Sequence, residues 1–263
     1  MKVKVICDTN IWYYLSDGTI KAEELKNYCL IATFYNFDEL NSTPKTVKDF
    51  SKVQVAAKAI IDNSCDQYLE NAILYLTRLI YRFHEDKLYH YNLGMRNWNE
   101  IRLLGKLPSD FKPSVEISKL YERNIEMKTN ESEAVSAIEN SLADQVRKQS
   151  RKLWRENKTK YFKSSLRGII YLLNNFLAGY SDGKAQLTKD FDIKKIELFI
   201  TAFVYYYKNL EVGTMKAQPN DMYDLFNMIY VQPGNKYFTR DKRWVNIISE
   251  AGLSNYLLTY PPY

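Results

Sequence analysis

Apolar and polar positions are arranged differently at the two ends of the chain than in its middle. Val3 to Cys7 is a short apolar run rich in β-branched residues that stops at Asp8-Thr9-Asn10. A buried parallel strand behaves this way when it delivers polar residues to its carboxyl end. Ile11 to Leu15 then opens a helix, a second helical stretch runs from about Ile20 to Lys26, and Tyr28 to Phe34 is a second strand followed by Asn36 to Leu40. The last 45 residues repeat this logic: a helical pattern from Asn220 to Val231, a turn at Gln232-Pro233-Gly234-Asn235 and a strand from Lys236 to Thr239. A helix from about Arg243 and a final strand near Tyr256 to Thr259 follow. Alternating strands and helices predict a parallel sheet with right-handed crossovers.

Between Pro44 and Val212 the period is almost wholly 3.6 residues. Thr43-Pro44 reads as an N-cap followed by proline at the first helical position. Leu69, Ile73, Leu76, Leu79 and Phe83 form one helical stripe, and Ile193, Ile196, Phe199, Ile200 and Phe203 another. No strand signal and no repeat interrupts this stretch. The organisation expected is an α/β core from 1–43 plus 213–263, with a helical insertion over 44–212 packed on it.

The chain has 263 residues, 46% of them hydrophobic and 26% charged, with only 9 Gly and 7 Pro. That is the composition of an ordered globular protein, neither disordered nor collagen-like. No apolar run of 18 residues exists and Asp8 follows the opening apolar stretch at once, so neither a membrane span nor a signal peptide is expected. Cys7, Cys29 and Cys65 are odd in number and widely spaced, and read as ordinary thiols of a reducing, cytoplasmic compartment. A net charge of +6 favours polyanionic partners.

Acidic residues stand where the strands end. Asp8 follows the first strand, Glu39 the second, and Asp241 the strand Lys236 to Thr239, while Asp221 and Asp224 share one helix face at i, i+3. Ligands of open parallel sheets bind outside the carboxyl ends of the strands. Carboxylates crowded there without basic partners repel one another unless a divalent cation neutralises them, and an all-oxygen donor set suits Mg²⁺ or Mn²⁺.

The segment Val5-Ile6-Cys7-Asp8-Thr9-Asn10-Ile11-Trp12, the pair Glu39-Leu40, and Asn220-Asp221-Met222-Tyr223-Asp224 with Tyr237-Phe238-Thr239-Arg240-Asp241 resemble the PIN-domain nucleases. The resemblance covers about 50 residues at one end and 45 at the other; the helices between match no family, and they far exceed the usual spacing between second and third acids. It implies a PIN-like parallel sheet flanked by helices; the all-helical section read from the period then falls between the second and third strands. It also implies a Mg²⁺- or Mn²⁺-dependent endoribonuclease, RNA being the expected substrate over DNA. Carried over residue by residue, Asp8, Glu39, Asp224 and Asp241 are the catalytic acids, with Asp221 an alternative third acid or an additional ligand. Asp8, Asp221, Asp224 and Asp241 are the expected metal ligands, supported by Asn10 and Thr239.

Nine Lys or Arg residues lie between Arg147 and Arg167 against one acid, Glu156. Arg147, Arg151 and Arg155 recur at i, i+4 beside Lys148 and Lys152, a basic helix face suited to nucleic acid. Trp154, Tyr161 and Phe162 are interleaved, either as stacking surfaces or as core. A homodimer and an inhibitor protein are the protein partners left open. Other chemistries find less support. His84 and His90 are six apart and suit no metal pair; Gly179 to Ala185 is one residue too short for a phosphate loop and lacks its hydroxyl. An aspartyl-nucleophile phosphohydrolase also places Asp after its first strand but needs a second Asp two residues on, where Asn10 stands. A PIN-like protein that binds or scaffolds without cutting is the non-enzymatic alternative.

Overall fold

The computed structural model describes residues 2–43, 48–80, 88–181, 185–187 and 191–260. Four parallel strands, β1 (Val3–Cys7), β2 (Tyr28–Thr33), β3 (Ser64–Tyr68) and β4 (Lys236–Phe238), form one sheet in the order β3-β2-β1-β4. Val5 pairs with Leu30 on one side and Lys236 on the other, so the two chain ends lie side by side at the centre and edge of the sheet. Side chains alternate across a strand. Val5, Cys7, Leu30, Ala32 and Phe238 therefore enter one core, and Ile6, Ile31 and Tyr237 the other.

The first core is closed by α1 (Thr9–Ser16), α2 (Phe34–Ser42), α3 (Phe50–Asn63) and α5 (Leu88–Leu104), through Ile11, Trp12, Phe37, Leu40, Val53, Ile60 and Ile101. The second is closed by α4 (Ala72–Ile80), α7 (Lys158–Ser181), α8 (Glu197–Glu211), α9 (Asp221–Asn227) and α10 (Lys242–Glu250), through Ile73, Leu76, Leu173, Phe199, Phe203, Leu225 and Trp244. The result is a three-layer α/β/α arrangement. The remaining helix, α6 (Val115–Glu156), is 42 residues long, roughly 63 Å at 1.5 Å per residue. Ser114 starts it by accepting a hydrogen bond from the Ile117 amide. Among the described residues no helix is long and apolar enough to cross a membrane.

The middle section is not all-helical. β3 lies within it and bonds to β2 as an edge strand, and α3 packs beneath the sheet. The sequence Ser-Cys-Asp-Gln-Tyr is polar because an edge strand shows much of its surface to water, so no apolar alternation marks it. Three elements at the ends are shorter than their patterns predict. The stretch Ile20 to Lys26 contains one 3₁₀ turn, Ala22–Leu25. The helix expected from Asn220 to Val231 breaks after Asn227 into a second 3₁₀ turn, Met228–Tyr230. The expected final strand is a 3₁₀ turn, Ser254–Tyr256, plus one bridge between Tyr237 and Leu257. Thr43 ends α2, while Pro44, Phe83 and His84 lie outside the described residues.

The cysteines also differ from expectation. Cys29 of β2 and Cys65 of β3 form a disulfide with Cα atoms 5.5 Å apart, leaving only Cys7 as a buried thiol. The pairing removes the thiol-based reason for a reducing compartment. It closes a loop of sequence separation 36 and ties down the edge strand. In the chain-entropy picture such a crosslink stabilises by about 4 kcal/mol. Cys65→Ser should therefore lower the urea midpoint under oxidising conditions and leave it unchanged in excess reductant; equal midpoints in both would show that the bond contributes nothing.

Candidate functional site

The carboxyl ends of β1, β2 and β4 open onto a group of acids. The Asp8 amide donates to the Phe238 carbonyl at 2.9 Å, which fixes the residue where β1 and β4 end. Asp8 occupies the N-cap position of α1, yet its side chain makes no capping bond. Its Oδ2 instead accepts a hydrogen bond from the Thr239 hydroxyl at 2.7 Å, and the Thr239 oxygen accepts the Asp241 amide at 3.1 Å. One threonine thus joins the acid after β1 to the acid after β4. Asp241 caps α10 by accepting the Arg243 amide at 2.8 Å. Asp224 accepts the Trp244 indole N–H at 2.8 Å. Glu39, in α2, is half-buried, and its side chain makes no hydrogen bond or ion pair among the described residues.

Asp221 is in a different position. It is fully buried, with Oδ2 accepting from the Tyr206 hydroxyl at 3.0 Å and the Gln218 amide at 2.8 Å, and Oδ1 receiving Arg243 Nη2 at 2.8 Å. The same Nη2 lies 3.4 Å from Asp241 Oδ2. The expectation of acids lacking basic partners therefore fails for Asp221 and Asp241. Arg243, two residues past Asp241 and folded back from the first turn of α10, is the cation that sequence reasoning missed.

Asp8, Glu39 and Asp224 remain without an ion pair among the described residues, and electrostatics shows that they sense one another. Burial, then the charge of Glu39, pushes the Asp8 carboxyl up from 3.8 to about 6, with Asp241 adding to the rise and the Thr239 hydroxyl and Thr9 amide opposing it. Burial, then Asp8 and Glu39, holds Asp224 well above the usual carboxylate range against the Trp244 bond. Beside them Tyr237 is fully buried and its hydroxyl makes no well-formed hydrogen bond. Burial together with Asp8 and Asp224 pushes its ionisation up, with the Asn227 side chain opposing. Among the described residues no three Asp, Glu, His or Cys side chains stand close enough together to enclose a metal ion as placed.

Neutral amides hold this edge in shape. Asn36, fully buried in α2, donates to the Cys7 carbonyl at 3.1 Å and the Thr9 hydroxyl at 3.0 Å, and accepts the Thr33 amide at 2.9 Å and the Trp12 indole at 3.3 Å. Asn227 of α9 accepts the Thr33 hydroxyl at 2.8 Å and donates to Cys7 O at 3.5 Å. Asn10, expected to orient the carboxylates, is exposed and bonds to none of them. An Asn one turn before an acid and just past a strand is the signal that would have pointed to Asn36.

The long helix α6 borders the site. Lys128 reaches Asp38 at 3.0 Å and lies 4.7 Å from the Tyr223 ring, the chain neighbours of Glu39 and Asp224. Further along, the Tyr206 hydroxyl lies 3.1 Å from Glu139 as well as 3.0 Å from Asp221. One phenol proton serves at most one of the two carboxylates well, and burial pushes the Glu139 carboxyl up to about 7, the Tyr206 bond opposing. The basic residues follow about 18 Å beyond Glu139, at Arg151. Arg147 pairs with Asp144 at 2.7 Å and Arg151 donates to the Val212 carbonyl at 3.0 Å, whereas Lys148, Lys152 and Arg155 are exposed. Lys152 has only a loose partner, Glu156 at 3.9 Å. Trp154, Tyr161 and Phe162 pack against Tyr205 or each other at the α6–α7 junction and are core rather than stacking surfaces. His90 lies on α5 with its side chain outside the described residues, and 182–184 of the Gly179 to Ala185 turn are likewise not described.

The chain matches no family model, no curated protein and no solved structure.

A raised folded-state pKa means that Asp8 favours folding while protonated; the benefit is complete below about pH 4 and is lost as pH rises through about 6. The loss is on the order of 3 kcal/mol, from a shift of about two pKa units. Asp8→Asn removes the ionisation. In chelator, wild type should lose more stability than the variant between pH 4 and pH 7, measured by urea denaturation; parallel stability curves would show that Asp8 ionises without cost.

Proposed function

We propose that the chain is a Mg²⁺- or Mn²⁺-dependent nuclease of PIN type that hydrolyses phosphodiester bonds in RNA. The observation that carries the reading is the approach of Asp8, Glu39 and Asp224, from three separate elements, to within electrostatic reach of one another with no Lys or Arg paired to them. Like charges withdrawn from water in that state are relieved by proton uptake or, at neutral pH, by an external cation. The donors are all oxygen, which suits a hard divalent ion. Such an ion supplies a bound water of lowered pKa and charge relief at the phosphate. Thr239 orients Asp8 and Trp244 orients Asp224 by hydrogen bonds. Lys148, Lys152 and Arg155 give a strand of RNA an electrostatic track along α6.

A second reading, a PIN-like protein that binds RNA without cutting, is favoured by Arg243, whose guanidinium already pairs with two of the five acids.

Labelled single- and double-stranded RNA and DNA, incubated with the protein in Mn²⁺, Mg²⁺ or chelator, separate the two. Cleavage of RNA should need metal and fall at least about a hundredfold in Asp8→Asn and Asp224→Asn, the loss of several kcal/mol of transition-state stabilisation. RNA bound but intact under every metal would leave the second reading standing. Lys152→Glu with Arg155→Glu should weaken RNA binding and reduce the slope of log affinity against log salt by at least about 1.4, at roughly 0.7 for each phosphate no longer neutralised. An unchanged slope would remove the basic face from the RNA path.

A further inference from the structure

Behind α9, on the side turned away from the acids, lies a cavity of about 270 Å³. Asp221 and Asp224 share one face of that helix at i, i+3; Met222 and Phe226 share the opposite one at i, i+4, with Tyr223 beside them. These three line the cavity together with Phe176 of α7 and Ser132 and Val135 of α6. Phe226 is stacked on Tyr35 and on Phe199, with ring centroids 6.3 Å away in each case, and meets Phe176 at right angles at 6.1 Å. The aromatic walls are therefore held in place from behind, while Phe176 and Val135 are exposed and leave the cavity open to water on their side. The Ser132 hydroxyl is buried and has no hydrogen-bond partner among the described residues. One turn before Ser132 on the same helix face, Lys128 lies 4.7 Å from the Tyr223 ring and 3.0 Å from Asp38, the residue before Glu39. Its ammonium thus joins the cavity wall to the neighbour of one acid.

We infer that this cavity takes one base of a single-stranded RNA, with an adjoining phosphate at Lys128. The inference rests on RNA being the partner, as both readings above have it, and on neither a metal nor cleavage. Small-molecule sites usually enclose about 300–1,000 Å³, so a cavity just below that range admits one flat ring system and not a whole dinucleotide. Its apolar and aromatic walls suit the faces of a base, and stacking of this kind tolerates any base. Its unsatisfied hydroxyl both donates and accepts, so rotation of the Ser132 side chain lets it bond the polar edge of whichever base is bound. A cation against the Tyr223 wall suits a phosphate and opposes a cationic aromatic compound. The exposed Lys148, Lys152 and Arg155 lie farther along the same helix and favour a polyanion over a free mononucleotide. A single strand splays a base outward without breaking a pair, which selects it over a duplex.

Fluorescence anisotropy in chelator, with labelled single-stranded RNA that is either intact or carries stable abasic sugars in place of every base, reads the base contact without cleavage. Wild type should bind intact RNA at least about fivefold more tightly than abasic RNA, the lower end of what one stacked base contributes. Phe176→Ala removes a wall and Val135→Trp fills the cavity from its open side. Each should weaken intact RNA about fivefold or more and leave abasic RNA within about twofold, with the salt slope unchanged. The undiminished binding of abasic RNA reports that both variants are folded. Lys128→Gln should instead reduce the slope of log affinity against log salt by about 0.7 on both RNAs. Equal losses on the two RNAs in both variants, or a wild type that binds the two alike or binds neither, would overturn the inference. Metal-dependent cleavage by a wild type that binds both RNAs alike would sink the base cavity and spare the nuclease; base-dependent binding with no cleavage under any metal would do the reverse.

Discussion

The Asn36 side chain is the constraint on which the upper edge of the sheet depends. An amide offers two donors and two acceptor lone pairs, and all four are used, on Cys7, Thr9, Thr33 and Trp12. Those partners belong to the end of β1, the start and interior of α1, and the end of β2. A single buried residue therefore sets the angle at which two strands hand over to two helices, and so the positions of Asp8 and Glu39. Leaving any of the four groups unmade in so dry a place would cost about 1–3 kcal/mol. Asn227 repeats the device from the α9 side, on Thr33 and Cys7. Neutral amides suit this task, since they fix geometry without adding charge to a region already overloaded with it.

The acids around this scaffold fall into two kinds. Asp221 and Asp241 have compensating partners: one is buried and anchored by a phenol, an amide and a guanidinium, the other caps α10 and faces the same guanidinium. Asp8, Glu39 and Asp224 have no such compensation, and their mutual repulsion is stored in a fold whose layers and hydrogen bonds hold them in place. Strain of this sort persists only where surrounding structure over-determines it, and it gathers at working sites. The helix α6 adds an outer wall, with Lys128 beside the acids at one end and the exposed cluster of Lys148, Lys152 and Arg155 towards the other.

What could be read from the sequence was whatever a strand's burial or a helix's period imprints on it. β1 and β2 are apolar because both faces are covered, and β4 was marked by the turn before it and the acid after it. The same logic placed Asp8, Glu39 and Asp241 at strand ends. β3 was illegible because an edge strand needs few apolar residues. The Cys29–Cys65 bond was illegible because it depends on that unseen strand. Asn36 and Arg243 carry no period at all: their importance lies in what they touch across the fold, and a lone Asn or Arg looks the same wherever it points. Asp221 and Asp224 likewise differ in what they touch, although i, i+3 spacing gives both the same face.

The hydrogen bond from Thr239 to Asp8 spans 231 residues of chain. During synthesis at about 5–20 residues per second, the N-terminal acids wait on the order of ten seconds or more before β4 emerges to meet them. Until then β1 presents a bare parallel edge, a surface prone to unwanted pairing. The insertion is made in that interval, and α2, α3 and β3 can already close over one face. Assembly of the acid group therefore waits for β4, and a polypeptide truncated anywhere before Thr239 never acquires it.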